Sequence, residues 1–251
     1  MPSVTKRIKG ITQPKGGYLN PKSFKEIQLE TKHLLNEGEN IAASLVGLAV
    51  DYLTRFSLGA SPQEAFKISL IGADLIDESD DANALLSKMK GLDDMSIINA
   101  SKLVGYDVIY RAGRAGYKPV SEINPDLKTI ENIRMLVQRS LDFFESYGPI
   151  VLDGFTFEGA YTNTITIGDG DFLTKDTLWD FKVSVAPPTK DHTLQLLVYF
   201  LMGRKSIHKE IFEKIRYLGI YNPRLNKIYR IDVNLIPKEI IEGVSRFVIG
   251  Y

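Results

Sequence analysis

The chain has 251 residues, 44% apolar and 25% charged, the make-up of a globular protein with room for one large domain or two small ones and a sizeable core. It contains no cysteine, which excludes disulfides, thiolate zinc sites and cysteine-ligated iron–sulfur clusters. Basic and acidic residues balance at 31 each, which argues against a protein that coats nucleic acid non-specifically. In chain order, residues 1–23 are polar and rich in Gly, Pro and Lys and read as an irregular arm. They hold no apolar stretch of signal-peptide length, and no later run is long enough to span a membrane, so a cytoplasmic protein with no membrane partner is expected. Residues 24–35 are a short helix candidate stopped by Gly38. Residues 41–56 predict a strong helix, with Leu45, Leu48, Ala49, Tyr52, Leu53 and Phe56 at helical spacing. Ser61, Pro62 and Glu64 then open another helix, close to a capping box, that should run to about residue 76. Residues 77–81 are an acidic break without the ordered ligand spacing of a calcium loop.

Helices are expected over 82–89 and 96–110, then a Gly/Pro/Asn-marked loop over 113–125 and a helix over 126–147, closed by Gly148 and Pro149. Beyond residue 150 the pattern turns to strands at 151–161, 162–173 and 177–185, with a tight turn at 174–176. A helix over 189–203 follows, with Asp191 or Thr193 near its cap. Strands at 215–221 and 227–234 form a hairpin around Asn222-Pro223-Arg224, and a short helix over 237–247 ends the chain. That order suits an α/β fold bordering on α+β, with a mixed central sheet of about five strands flanked by helices. The helical region 1–125 and the region 126–251 are expected to form one compact domain.

The segment 177–184 reads T-L-W-D-F-K-V-S and alternates with period two. Asp180 and Lys182 therefore point to one face of a strand, and Trp179, Phe181 and Val183 to the other. A carboxylate on a strand between large apolar neighbours must be paired or metal-bound, since an unpaired buried charge is costly. Another carboxylate, Asp171, stands at the end of the preceding strand after Gly170, with Asp169 two residues earlier on the same face. Oxygen ligands of this kind suit magnesium or manganese, and an adjacent lysine can handle a water or a phosphate. The plain alternative is an Asp–Lys pair on a solvated sheet face, beside a Gly/Asp turn. Gln195 and Tyr199 lie four residues apart on a helix that is apolar nearly all round, so Gln195 needs a hydrogen-bond partner; core packing with one satisfied polar group would account for them equally.

Gly170-Asp171, Asp180-Phe181-Lys182 and Gln195 to Tyr199, in that order on strand, strand and helix, resemble the core of the PD-(D/E)XK nuclease superfamily, nearest its RecB-like branch. The resemblance implies a restriction-endonuclease-like core over 126–251, with the helix around 41–56 contributing to the site. It implies Mg²⁺ or Mn²⁺ held by Asp171, Asp180 and the backbone carbonyl of Phe181, with Lys182 beside the attacking water. Gln195 would orient the site, and Tyr199 would support the substrate phosphate or the sheet. The family places a histidine four residues after a glycine on the preceding helix; here Gly47 is followed by Asp51. Asp51 is either a substitute ligand or an exposed charge paired with Arg55 at i+4. The implied activity is phosphodiester hydrolysis, with DNA as the expected substrate, or else a catalytically silent nuclease-like fold that binds DNA or protein. A helicase or ATPase partner would have to supply any translocation, because the chain lacks a phosphate-cradling loop and binds no nucleotide by any recognised motif.

Residues 204–230 carry Arg204, Lys205, Lys209, Lys214, Arg216, Arg224, Lys227 and Arg230 against only Glu210 and Glu213. This is either a solvated surface or a track for phosphates, with Arg204, Arg224 and Lys227 as the expected contacts. His192 is a helix cap or a phosphate contact, and three histidines without paired spacing do not make a zinc site.

Overall fold

The computed structural model describes residues 2–31 and 33–251. The chain divides into two compact units, one of Met1–Glu30 with Phe144–Tyr251 and one of Thr31–Phe143. The first thirty residues thus belong with the C-terminal half.

The first unit is an α/β fold on a six-stranded mixed sheet. Its strands are β1 (Lys25–Gln28), β2 (Leu152–Thr156), β3 (Asp169–Leu173), β4 (Thr177–Phe181), β5 (Tyr217–Asn222) and β6 (Lys227–Asp232), in the spatial order β1-β6-β5-β4-β3-β2. All neighbours are antiparallel except β4 and β5, which run parallel with Asp180 beside Ile220. The parallel step requires a crossover, supplied by the helix α9 (Lys190–Gly203) and the short α10 (Lys209–Phe212). One sheet face, carrying Leu173, Leu178, Leu218, Ile220, Tyr229 and Ile231, is buried with Leu194, Leu197, Val198 and Leu201 of α9 in a single apolar core. On the other face the Phe172 ring lies 4.6 Å from Phe144, and the Trp179 ring 5.7 Å from Tyr147. Gly219 is required beneath Trp179, since a Cβ there would stand 2.4 Å from the indole.

Three segments of this unit differ from the sequence expectation. Strands are expected over 151–161 and 162–173, but β2 and β3 cover only Leu152–Thr156 and Asp169–Leu173, and residues 157–168 belong to neither strand. Within the arm lies a helix, α1 (Val4–Lys9), whose N-cap Ser3 accepts a hydrogen bond from the Lys6 N–H. Val4 and Ile8, four apart, enter the core, and Arg7 donates to the carbonyls of Val248 and Phe247 at 2.9 and 2.7 Å. The described part of 24–35 is not helical, Lys32 lying outside the described residues: Lys25–Gln28 forms β1, antiparallel to β6 with Lys25 opposite Arg230. The composition of that stretch favours a helix weakly, and pairing with an open sheet edge outweighs the preference. The unit closes with α11 (Lys238–Gly243) and a π-helical turn at Val244–Ile249.

The second unit is helical, with α2 (Ala43–Ser57), α3 (Pro62–Ala65), α4 (Lys67–Asp74), α5 (Ser79–Leu86), α6 (Asp94–Leu103), α7 (Asp107–Ala112) and the part of α8 (Leu127–Tyr147) up to Phe143. Ser61 and Glu64 form the capping box that starts α3, and Phe66 then interrupts the single helix expected to residue 76. Asp107 is buried and accepts hydrogen bonds from Tyr52 on α2 at 2.6 Å and Ser69 on α4 at 2.5 Å. Arg111 completes the ring of donors at 3.4 Å, so one carboxylate ties three helices. Among the described residues no helix is long and apolar enough to cross a membrane.

Candidate metal centre

β3 and β4 pair with Phe172 opposite Trp179 and Leu173 opposite Leu178. One step further, the same register sets Asp171 against Asp180, so both carboxylates leave the face they share with Leu173 and Leu178, toward α9. The ladder stops at this point because a side chain replaces it: Asp171 Oδ2 accepts the Phe181 backbone N–H at 2.7 Å. Asp180 is 2% exposed. Its Oδ1 accepts from Lys182 Nζ at 2.9 Å, and its Oδ2 is buried without a hydrogen-bond partner. Leaving one oxygen of a buried carboxylate unsatisfied costs about 1–3 kcal/mol or more; the other buried side-chain atoms without a partner, on Asn99, Ser101, Tyr106 and Tyr229, are neutral groups. Below the pair, Trp179 Nε1 donates to Thr174 Oγ1 at 3.0 Å and fixes the strand from its other face.

α9 supplies the opposite wall. The Thr189 N–H donates to His192 Nδ1 at 3.2 Å, making Thr189 rather than Asp191 or Thr193 the N-cap and leaving the neutral imidazole proton on Nε2. Burial pushes the His192 pKa down, the Lys182 ammonium adds to this, and Asp180 and Asp191 oppose it. Gln195 Nε2 donates to the Tyr199 hydroxyl at 2.8 Å, which gives the buried amide its partner. The Tyr199 ring stacks on Phe157, with centroids 5.0 Å apart. Burial raises the Tyr199 pKa well above its ordinary value, and Asp180, Asp171 and Asp169 raise it further, so the phenol stands within electrostatic reach of all three carboxylates. Asp171, Asp180, Lys182, His192, Gln195 and Tyr199 thus fall in one region of one unit, on two adjacent strands and the helix packed against them.

Other expected residues have partners of their own. In the helical unit the Asp51 carboxylate is bound by Arg55 Nε at 3.0 Å, as the i, i+4 spacing allows. Asp169 is exposed, two residues before Asp171. Along 204–230, Arg204 lies over the Phe200 ring at 5.6 Å, Lys227 binds Glu26 of β1 at 2.5 Å, and Arg216 binds Asp232 at 3.1 Å. Arg230 covers Tyr217 at 4.4 Å, and Arg224 stands in the β5–β6 turn.

Among the described residues no three His, Asp or Glu side chains gather into a group able to hold a metal ion. The candidate centre is therefore a pair of carboxylates, Asp171 and Asp180, on adjacent strands. These are hard donors, and the unpartnered anionic oxygen of Asp180 fits a divalent cation that keeps several of its own waters, as magnesium does. No family model, no curated protein and no solved structure matches this chain. The reading of the site therefore rests on its own geometry and on the motif resemblance. Sequence reasoning passed over Asn222, whose buried amide grips the segment following Lys182; its N-P-R context signalled only a turn.

Proposed function

We propose that this chain is a magnesium- or manganese-dependent nuclease hydrolysing phosphodiester bonds in DNA, built on a PD-(D/E)XK-like core. The observation that carries this reading is Asp180 Oδ2, a buried anionic oxygen without a partner, on the face Asp171 shares and with Lys182 on its sister oxygen. Such an arrangement is costly alone and is satisfied by a cation. Asp180, Asp171 and the Phe181 carbonyl would hold the metal, which when bound supplies Lewis acidity toward the phosphate and lowers the pKa of water. Asp51 is left out of this ligand set because Arg55 engages it.

The chain's own groups then have distinct tasks. Lys182, tethered to Asp180, presents ammonium donors where negative charge grows on the phosphate oxygens. Tyr199 stays protonated at any working pH, and because Gln195 donates to its oxygen, its own proton is left for a second acceptor. His192, held neutral with its proton on Nε2, is a further donor at the start of α9. Arg204 and Lys227 would have to leave Phe200 and Glu26 to reach a substrate, whereas His192 already stands at the start of α9 beside the carboxylates. Translocation along DNA would come from a helicase or ATPase partner, in the cytoplasm.

A second reading, a catalytically silent nuclease-like fold that binds DNA or protein, is supported by the Asp51–Arg55 pair, which gives one expected ligand a partner of its own. Incubation with linear, circular and single-stranded DNA, with Mg²⁺, Mn²⁺ or chelator, separates the two. Cleavage that requires metal and disappears in Asp180→Ala supports the enzyme. Binding of DNA without cleavage under every metal condition supports the silent module and overturns the nuclease.

A further inference from the structure

Beyond Lys182 the chain leaves the sheet as an open connection to α9. Val185 is 78% exposed, and Ala186 and Pro187 are exposed beside it, so apolar packing does not hold this segment. Ser184 Oγ accepts the Ala186 N–H at 3.1 Å within the segment, and one side chain reaches it from the neighbouring strand. Asn222, at the end of β5 and 1% exposed, donates from Nδ2 to the Ser184 carbonyl at 2.8 Å and more weakly to the Ala186 carbonyl at 3.4 Å. Its Oδ1 accepts the backbone N–H groups of Arg224 at 3.0 Å and Leu225 at 3.2 Å. A primary amide has two donors and two acceptor positions, so the capacity of this buried group is fully spent. Half goes to the β5–β6 turn, where an asparagine bonding its own backbone two residues on is a common closure. The other half crosses to the exposed segment after Lys182 and has no part in closing that turn. The neighbouring residue adds to the grip, since the Tyr221 carbonyl accepts the Lys182 backbone N–H at 3.0 Å.

We infer that Asn222 is a positioning residue of the proposed site: by holding residues 184–186 from the adjacent strand, it fixes the backbone from which Lys182 reaches Asp180 and a substrate phosphate. A lysine has a flexible four-carbon stem, so the position of its ammonium depends on where its main chain is anchored. The effect on rate rests on the nuclease reading; the effect on the loop and on the Lys182–Asp180 contact does not.

Two variants test this in the full chain. Asn222→Asp keeps both turn acceptors and loses both donors to the loop; Asn222→Ala loses all four bonds. Hydrogen exchange followed by mass spectrometry over 183–189 and 223–226 is measured with the thermal midpoint, the Lys182 ammonium signal in ¹⁵N-lysine-labelled protein, and Mn²⁺-supported cleavage of linear DNA. In Asn222→Asp, exchange over 183–189 should quicken about tenfold, the equivalent of one lost hydrogen bond, with 223–226 unchanged. The Lys182 signal, sharp while the ammonium is held on Asp180, should broaden. Cleavage kcat should fall by about 100-fold, as for a group displaced by an ångström, with KM within about threefold of wild type. Asn222→Ala should show the same losses and faster exchange in both segments, and it serves if the aspartate variant fails to fold. Unchanged exchange over 183–189 and an unchanged Lys182 signal in folded Asn222→Ala would overturn the inference, as would wild-type kcat in a variant whose loop has loosened. Wild-type protein that cuts no DNA with either metal would refute the nuclease reading instead, and the exchange and lysine readouts would still decide whether Asn222 places Lys182.

Discussion

Replacing Asp180 with asparagine isolates the cation from every question about substrate. Asp180 Oδ1 holds Lys182 at 2.9 Å while Oδ2 is buried and unpartnered. Asparagine weakens the first contact, a charge-assisted bond to a lysine whose side chain is 25% exposed and can turn to water. It also removes the cost of an unpartnered buried charge. The two changes have opposite signs and each is about 1–2 kcal/mol, so metal-free stability should move by no more than about 1 kcal/mol. Metal-dependent stability should change far more. A ligand that binds only the folded state, present at a hundred times its dissociation constant, contributes about 2.7 kcal/mol. For a chain of this size that is a rise of roughly 5–10 °C in thermal midpoint. The assay is thermal unfolding with chelator and with increasing Mg²⁺ or Mn²⁺. Wild type should shift upward and Asp180→Asn should not. A full shift in the variant, or none in wild type at millimolar metal, would refute the reasoning that the unpartnered oxygen is a ligand.

Lys182→Ala should keep the metal-induced thermal shift and lose about 100-fold or more in cleavage rate, as expected when one charged group is removed from a preorganised site; a lost shift would make Lys182 structural. Asp51→Ala should cost only about 0.5 kcal/mol, the value of an i, i+4 pair, and leave the metal shift intact, whereas abolition of the shift would return Asp51 to the ligand set. Burial holds the Asp107 carboxyl above its ordinary range, against the Ser69 and Tyr52 hydroxyls and Arg111. A carboxyl raised in the folded state contributes its stability in full below the unfolded value near pH 4 and loses it as pH rises through the folded value. Asp107→Ala should therefore cost the helical unit about 3 kcal/mol, most at pH 4 and less at pH 7 in urea titrations, and a difference independent of pH would contradict this.

Much of the architecture was legible because its signals are local. The helix from residue 127 announces itself through its apolar spacing and the Gly-Pro that follows, and α9 through an apolar run longer than any strand needs. The D-x-K strand was legible in period two, and the register then brought Asp171 to it. What stayed hidden depends on partners distant in the chain. Lys25–Gln28 carries no strand signal of its own and becomes one only against β6. Val4 and Ile8 had the spacing of a buried helical pair, but two apolar residues in a basic stretch are too few to stand out from an arm. The amide of Asn222 acts on residues 36 and 38 positions earlier, a link no local pattern announces. Asp51 had two readings from sequence, and the i, i+4 contact with Arg55 is the one formed within its own unit.

The sheet-bearing unit is made of two stretches of chain separated by the whole of Thr31–Phe143. Its edge strand is synthesised first, yet it has nothing to pair with until Arg230, its partner opposite Lys25, has been made about 200 residues later. The helical unit, continuous in sequence, is free to fold while the ribosome is still producing the sheet. Until the C-terminal hairpin arrives, residues 25–28 are an unpaired strand. A chain stopped before residue 227 should therefore retain the helical unit and lose the order of residues 25–28, which would expose the start of the interrupted unit to proteolysis.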